Sequence, residues 1–147
     1  MIELSDVVAQ RFGYKMGRKR KAILLNAIEI HRLMADQTLT GRDVQQIAEM
    51  IPTAVLADAL GTSPSNIGKV YDRDSLRKPQ VSQLVDMSKT YSRIREFFDD
   101  DPSLVQEFLT SPTPALDGEC PATLLADSAG RDAVEAMVDK MAYGDLS

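Results

Sequence analysis

The pattern of apolar and polar positions along this chain is that of helices rather than strands. Apolar residues recur at intervals of three and four in the long segments, and no β-branched stretch alternates with polar residues. We therefore predict an all-α fold. The predicted helical segments are residues 1–14, about 19–36, 42–50, 54–60, about 81–98, a short stretch ending near Leu109, and about 130–142.

Local signals mark where several of these helices begin and end. Thr40 is a predicted N-cap, and Asp127 or Ser128 is expected to cap the last helix. Pro52 ends the third helix, because the residue before a proline is driven out of the helical conformation. Gly61 is a predicted helix stop, since glycine adopts the left-handed conformation readily.

Composition narrows the class of protein. The chain has 147 residues, of which 44% are hydrophobic, so it can bury a core as one domain or two small ones. No apolar run approaches the roughly 20 residues of a membrane span, and the first residues lack the layout of a secretory signal. A single cysteine, Cys120, and a single histidine, His31, cannot build the usual zinc site. A cytoplasmic protein is expected, with no metal and no cofactor.

Charge divides unevenly along the chain. Residues 1–79 hold 12 Lys/Arg and 9 Asp/Glu, a balance of +3, whereas residues 80–147 hold 5 and 13, a balance of −8. The two values add to the net charge of −5. The basic N-terminal part is suited to bind a polyanion, and the acidic C-terminal part is suited to bind a basic surface. The alternative is that the charges of both parts are simply solvated.

Residues 56–70 have the spacing of two short helices joined by a tight turn. Leu56, Ala57 and Leu60 are expected to face a core, together with Ile67 and Val70. The stretch resembles a helix-turn-helix of the Xre type, in which the second helix presents polar side chains to DNA. The residues that this resemblance assigns to DNA contact are Ser65, Asn66, Lys69 and Arg73. A plain helical hairpin with solvated polar residues is the alternative.

A basic run precedes the second predicted helix. Lys15, Arg18 and Lys19 belong to a cluster of five cations in seven residues. As a phosphate clamp, this cluster would make DNA affinity strongly dependent on salt. Solvated side chains at an exposed helix start are the alternative.

The last 36 residues carry the most distinctive order of residue types. A proline-bounded turn leads into a short apolar segment, a glycine, an amphipathic helix and a final Tyr143-Gly144 pair. This order resembles the toxin-binding domain of the Xre–MbcA–ParS antitoxins. The matching positions are Pro114, Ala115, Leu116, Gly118, Pro121, Leu124, Leu125, Gly130, Val134, Met137, Met141, Tyr143 and Gly144.

The resemblance implies an organisation and a set of partners. It implies a DNA-binding helix-turn-helix domain over residues 1–74 and a small helical dimerisation and toxin-binding domain over residues 75–147. The implied partners are operator DNA, a second copy of the chain, and a RES-domain toxin that degrades NAD or uses it for ADP-ribosylation. Asp117 departs from the family pattern, where glycine is frequent at this position.

The resemblance also implies which residues meet the toxin. Arg131 and Glu135 are expected on the outward face of the last helix, where they can form an i,i+4 pair. The acidic tail is expected to reach the phosphate region of the toxin pocket through Asp145 and the terminal carboxylate of Ser147. The full set of predicted toxin contacts is Pro121, Arg131, Asp132, Glu135, Tyr143, Gly144, Asp145, Leu146 and Ser147.

Three functions are therefore weighed. The first is a type II antitoxin that covers the active site of its toxin and represses its own operon. The second is a stand-alone dimeric helix-turn-helix regulator without a toxin, and the third is an interaction module that never touches DNA. An enzyme is not expected, because His31 has no catalytic partner in sequence and no Gly-rich phosphate loop is present.

Overall fold

The structure of the chain is a computed structural model, which describes residues 2–13 and 25–144. Within these ranges the backbone forms nine α-helices and two 3-10 turns and contains no strand, so the all-α prediction is confirmed. The helices are α1 (Leu4–Phe12), α2 (Ala27–Asp36), α3 (Gly41–Ile47), α4 (Thr53–Ala59), α5 (Ile67–Tyr71), α6 (Lys78–Phe97), α7 (Pro102–Thr110), α8 (Pro121–Leu124) and α9 (Ser128–Ala142). The 3-10 turns are Pro64–Asn66 and Pro114–Leu116.

The 20-residue helix α6 is the centre of the molecule. It contacts α1, α2 and α4 from the first half of the chain and α7 and α9 from the second. Leu84, Met87 and Ile94 of α6 are completely buried, and burial of each such side chain contributes about 1.5–3 kcal/mol to stability. The hydrophobic core runs without a break from Leu4 to Val138. The division into domains near residue 74 stays a prediction.

Arg95 of α6 connects the end of α1 to the segment that follows α6. Its Nη1 donates to the carbonyl oxygens of Gln10 at 2.7 Å and Arg11 at 3.1 Å. Its Nη2 lies 3.1 Å from Oδ1 of Asp100, just beyond α6. The guanidinium therefore donates to carbonyls in the last turn of α1, and its charge suits the negative end of the helix dipole.

The start of α2 differs from the prediction. The helix α2 begins at Ala27, because Asn26 is extended, with φ −79° and ψ 172°. The predicted helix therefore does not run continuously through residue 26, and residues 19–24 lie outside the described residues. The Asn26 side chain accepts a hydrogen bond from the Glu29 amide at 2.9 Å, which is the N-cap geometry. The apolar pattern between residues 19 and 36 continues across Asn26, so it did not indicate that this residue is a cap. None of the α2 side chains is fully buried, and Ile28 is 63% exposed.

Candidate functional site

The C-terminal helices form one unit against α6. Asp101 caps α7 by accepting from the amides of Ser103 at 3.0 Å and Leu104 at 3.3 Å. The helix α9 lies on α6 with Val134 and Val138 buried, while Met137 and Met141 are half-buried. The predicted apolar stripe of the last helix is therefore confirmed as its packing face.

A tight turn joins α7 to α8. The Thr113 amide donates to the carbonyl of Glu119 at 3.1 Å, and the Gly118 amide donates to the carbonyl of Thr113 at 3.0 Å. Asp117 and Gly118 are both left-handed, with φ of 55° and 82°. The left-handed conformation explains why glycine suits position 117, and aspartate is among the residues that tolerate it best.

Replacing Asp117 with glycine is expected to stabilise the protein by up to about 1 kcal/mol, because it removes the strain of a left-handed L-residue. Urea unfolding followed by circular dichroism measures the change. Asp101→Ala is the contrasting variant, since it removes a cap and is expected to cost about 1 kcal/mol. Loss of stability in Asp117→Gly would contradict the strain argument.

The junction of α8 and α9 is closely packed. Asp127 accepts from the Gly130 amide at 2.7 Å, so its predicted role as N-cap is confirmed. Gly130 is buried in the first turn of α9, and a Cβ at this position would lie 2.1 Å from the carbonyl oxygen of Leu124. Only glycine fits this approach without moving the backbone of α8.

Arg131 lies inside the domain, contrary to the expectation that it faces outward and pairs with Glu135. Its side chain is 3% exposed. It donates to the carbonyl oxygen of Leu125 at 2.9 Å and to Oε1 of Gln83 at 2.8 Å. Arg131 thus connects α9, the end of α8 and α6. Residues at i and i+4 pair on a helix surface, but Arg131 instead donates to acceptors on the end of α8 and on α6.

Glu135 and Asp139 pair with α6 at the surface of the protein. Both carboxylates lie beside Arg93 of α6, with Nε of Arg93 3.8 Å from Oε1 of Glu135 and Nη2 paired with Asp139. Thr90 also lies within hydrogen-bond distance of Glu135, at 3.3 Å. The predicted toxin contact Glu135 is therefore half-buried and bonded within the chain.

The end of α9 is the exposed part of the predicted toxin surface. Tyr143 is 84% exposed, and Gly144 follows with φ 71°. Asp132 is also exposed, whereas Pro121 is buried. The predicted contacts Asp145, Leu146 and Ser147 lie outside the described residues. An aromatic side chain this exposed is a candidate anchor for a partner, since tyrosine is enriched at the energetic centres of interfaces.

The segment predicted to bind DNA is a helical hairpin made of α4, the 3-10 turn Pro64–Asn66 and α5. The five residues expected to face the core are buried, and Gly61 is left-handed with φ 72°. Ser65, Asn66 and Lys69 are exposed and Arg73 is half-buried. The second helix is short, because α5 has only five residues beyond the 3-10 turn. Lys15, Arg18 and Lys19 lie outside the described residues.

Gly41 fixes the hairpin against α3, a role that its sequence context does not indicate. Its amide donates to the carbonyl of Arg73 at 2.8 Å. A Cβ at Gly41 would lie 2.2 Å from the carbonyl oxygen of Val70 and 2.4 Å from that of Tyr71. Gly41 directly follows the capping residue Thr40. Glycine is common near helix ends for conformational reasons, so its position in the sequence does not predict a close contact with α5.

Other kinds of site find no support in the part of the chain that the structure describes. None of its helices is long and apolar enough to cross a membrane. No three His, Cys, Asp or Glu side chains of residues 2–13 and 25–144 come together in a way that could hold a metal ion.

Comparison with known protein families identifies the C-terminal unit. Residues 94–144 match the antitoxin Xre/MbcA/ParS C-terminal toxin-binding domain. A comparison with curated proteins gave no match. The matched range starts near the end of α6 and includes α7, α8, α9 and Tyr143-Gly144. The family resemblance drawn from the sequence is therefore confirmed.

Proposed function

We propose, from the match of residues 94–144 to the antitoxin Xre/MbcA/ParS C-terminal toxin-binding domain, that this chain neutralises a RES-domain toxin by direct binding. In this proposal the C-terminal region covers the active site of the toxin and keeps NAD out. The observation that carries it is the end of α9, where the family-matched domain leaves Tyr143 84% exposed. The chain acts as an inhibitor and performs no catalysis itself.

Charge supports the same mode of binding. A pocket that holds NAD must bind a pyrophosphate, so we expect it to be lined with cations. Residues 80–147 carry 5 Lys/Arg and 13 Asp/Glu, and this acidic half is complementary to such a surface. Complementary charge speeds association and fixes orientation. Asp145 follows the exposed Tyr143-Gly144 pair in sequence and is the carboxylate that we assign to the phosphate region.

The toxin half of the proposal is tested at the end of α9. Tyr143→Ala and Asp145→Asn are each expected to weaken binding by roughly tenfold, the effect of losing an aromatic anchor or a charged contact. Calorimetric titration against the RES-domain toxin that this proposal expects the neighbouring gene to encode measures both changes. Glu49→Gln, an exposed carboxylate in the turn after α3, removes one charge elsewhere and is expected to bind normally. Unchanged binding by Tyr143→Ala and Asp145→Asn would contradict the proposed contact.

We further propose that the α4–α5 hairpin binds operator DNA and that a homodimer represses its own operon in the cytoplasm. Ser65, Asn66 and Lys69 support this, since all three are exposed in the second part of the hairpin. Asparagine can pair with an adenine edge, and lysine with guanine or phosphate. Two copies would read two half-sites, as helix-turn-helix dimers do.

The DNA half is tested by the dependence of binding on salt. Lys69→Ala is expected to lower affinity severalfold and to reduce the slope of log affinity against log salt by about 0.9, the value for one lost phosphate contact. Fluorescence anisotropy with the upstream DNA duplex measures the slope. Lys140→Ala on the exposed side of α9 is the matched loss of one cation and should leave the slope unchanged. Equal slopes for both variants and the parent chain would exclude Lys69 from the contact.

A further inference from the structure

The last turns of α6 and α9 lie at the same end of the helix pair. The contacts between the two helices advance together along both; in chain order they are Arg131 with Gln83, Glu135 with Thr90, and Asp139 with Arg93. The helices therefore run in the same direction. Residues at i and i+4 share a face of a helix, so the pair of Asp139 and Arg93 is followed one turn later by Tyr143 and Phe97. Tyr143 keeps the helical path, since its amide donates to the carbonyl of Asp139 at 3.0 Å.

Phe97 belongs to a cluster of rings at this end of α6. Its ring lies edge-on to that of Phe98, with 4.9 Å between the ring centroids, and Phe98 lies 5.4 Å from Phe108 of α7. All three rings are half-buried. Leu104, one turn before Phe108 on α7, is 44% exposed. An apolar strip therefore runs from Tyr143 over Phe97 and its neighbours to Leu104.

The side of α6 that carries Phe97 is turned away from α1. The end of α1 is held by Arg95, which donates to the carbonyl oxygens of Gln10 and Arg11. Residues two positions apart on an α-helix lie about 160° apart around its axis. Phe97 and Arg95 are therefore on nearly opposite sides of α6, and the end of α1 does not cover the ring of Phe97.

The family match indicates which partner this strip suits. All five of its residues lie within residues 94–144, the range that matches a toxin-binding domain. Tyr143, at one end of the strip, is the anchor already proposed for the toxin. The residues that dominate an interface cluster together, and a ring held by neighbouring rings loses little freedom when a partner binds it. A partner that holds Tyr143 therefore gains further from Phe97.

We propose that the RES-domain toxin binds Phe97 together with Tyr143, so that its contact extends from the end of α9 onto the end of α6. This inference rests on the proposed toxin binding and adds a second anchor to it. It assigns to the toxin an apolar cleft that accepts two aromatic rings side by side. The two anchors come from helices that Arg93 joins through Asp139, so the toxin contacts both members of the helix pair.

A fluorine label at position 97 tests the contact. The chain has no tryptophan, so Phe97→Trp introduces a single indole that 5-fluorotryptophan labels for 19F NMR. Saturation with unlabelled toxin is expected to change the chemical shift of this label. Tyr71→Trp places the same label at a half-buried position of α5, in the hairpin proposed to bind DNA, and its shift should stay the same. An unchanged label at position 97, or equal changes at both positions, would overturn the proposal.

Affinity provides the second measurement. Phe97→Ala is expected to weaken toxin binding roughly tenfold in a calorimetric titration, as the loss of an aromatic anchor does. Met50→Ala removes another half-buried apolar side chain, in the turn after α3, and should bind normally. If Phe97→Ala fails to give a cooperative melting transition, the label at position 97 decides, since tryptophan keeps an aromatic ring there.

The outcomes separate this inference from the function on which it rests. Weaker binding by Tyr143→Ala, with normal binding by Phe97→Ala and an unchanged label, defeats the second anchor and leaves the proposed function standing. A toxin that does not bind the unmodified chain defeats both. A label at position 97 that shifts when the chain alone is diluted tenfold would show that a second copy covers Phe97, which also overturns the proposal.

Discussion

Gly130→Ala is expected to destabilise the protein by about 3 kcal/mol. The added methyl group would clash with backbone atoms, and we expect the cost to lie at the upper end of the usual range for overpacking a core. The added Cβ would lie 2.1 Å from the carbonyl oxygen of Leu124 and 2.9 Å from its carbon. These are backbone atoms of α8, so no side-chain rotation relieves the contact. Because α8 and α9 both lie within the toxin-binding domain, toxin affinity should fall together with stability.

Two other glycines provide matched controls for this substitution. Gly68 lies in α5 with nothing within 4 Å of an added Cβ, so Gly68→Ala should stabilise the protein by about 0.5–1 kcal/mol through helix propensity. Gly41→Ala should resemble Gly130→Ala, because its Cβ would lie 2.2 Å from the carbonyl oxygen of Val70. Urea unfolding of all three variants makes the comparison. A stable Gly130→Ala protein would show that α8 can move away freely.

Arg131→Met is expected to cost about 2–4 kcal/mol, because it removes the donor from one buried and one partly buried acceptor. These are the carbonyl oxygen of Leu125 at 2.9 Å and Oε1 of Gln83 at 2.8 Å. Methionine keeps much of the apolar stem, so the loss reports mainly on the hydrogen bonds. Arg131→Lys should recover only part of the stability, since an ammonium group lacks the planar fork that reaches two acceptors.

The control for Arg131 is Arg93→Met on the neighbouring helix. The Arg93 side chain is 44% exposed and pairs with Glu135 and Asp139 at the surface. Surface ion pairs contribute about 0–1 kcal/mol, so this variant should lose little stability. If both arginine variants lost the same small amount, Arg131 would be a surface contact rather than the internal tie described above.

The contrast between α9 and α2 shows what the sequence could predict. For α9, the apolar spacing and the N-cap Asp127 pointed to the same helix, and both were confirmed. For α2, a continuous apolar pattern predicted a start near residue 19, but Asn26 caps the helix seven residues later. Periodicity locates the buried face of a helix, whereas a cap depends on whether one side chain folds back onto the backbone.

Arg131 and Gly41 show what the sequence could not predict. An arginine in the first turn of a helix interacts unfavourably with the helix dipole, which indicates that the residue has another role. The sequence does not show what this role is. Its partners, Gln83 and the Leu125 carbonyl, come from α6 and the end of α8. Gly41 meets carbonyls about thirty residues away in sequence. Such contacts depend on how helices pack, and one chain's local pattern carries no information about them.

The most direct test of the central claim is co-expression of this chain with the product of the neighbouring gene, where the proposal expects the RES-domain toxin to be encoded. Co-purification and an NAD-consumption assay are then carried out on the same sample. We predict that the two proteins purify together and that NAD is consumed only after this chain is removed. A partner that purifies alone and consumes NAD at the same rate with and without this chain would contradict the account.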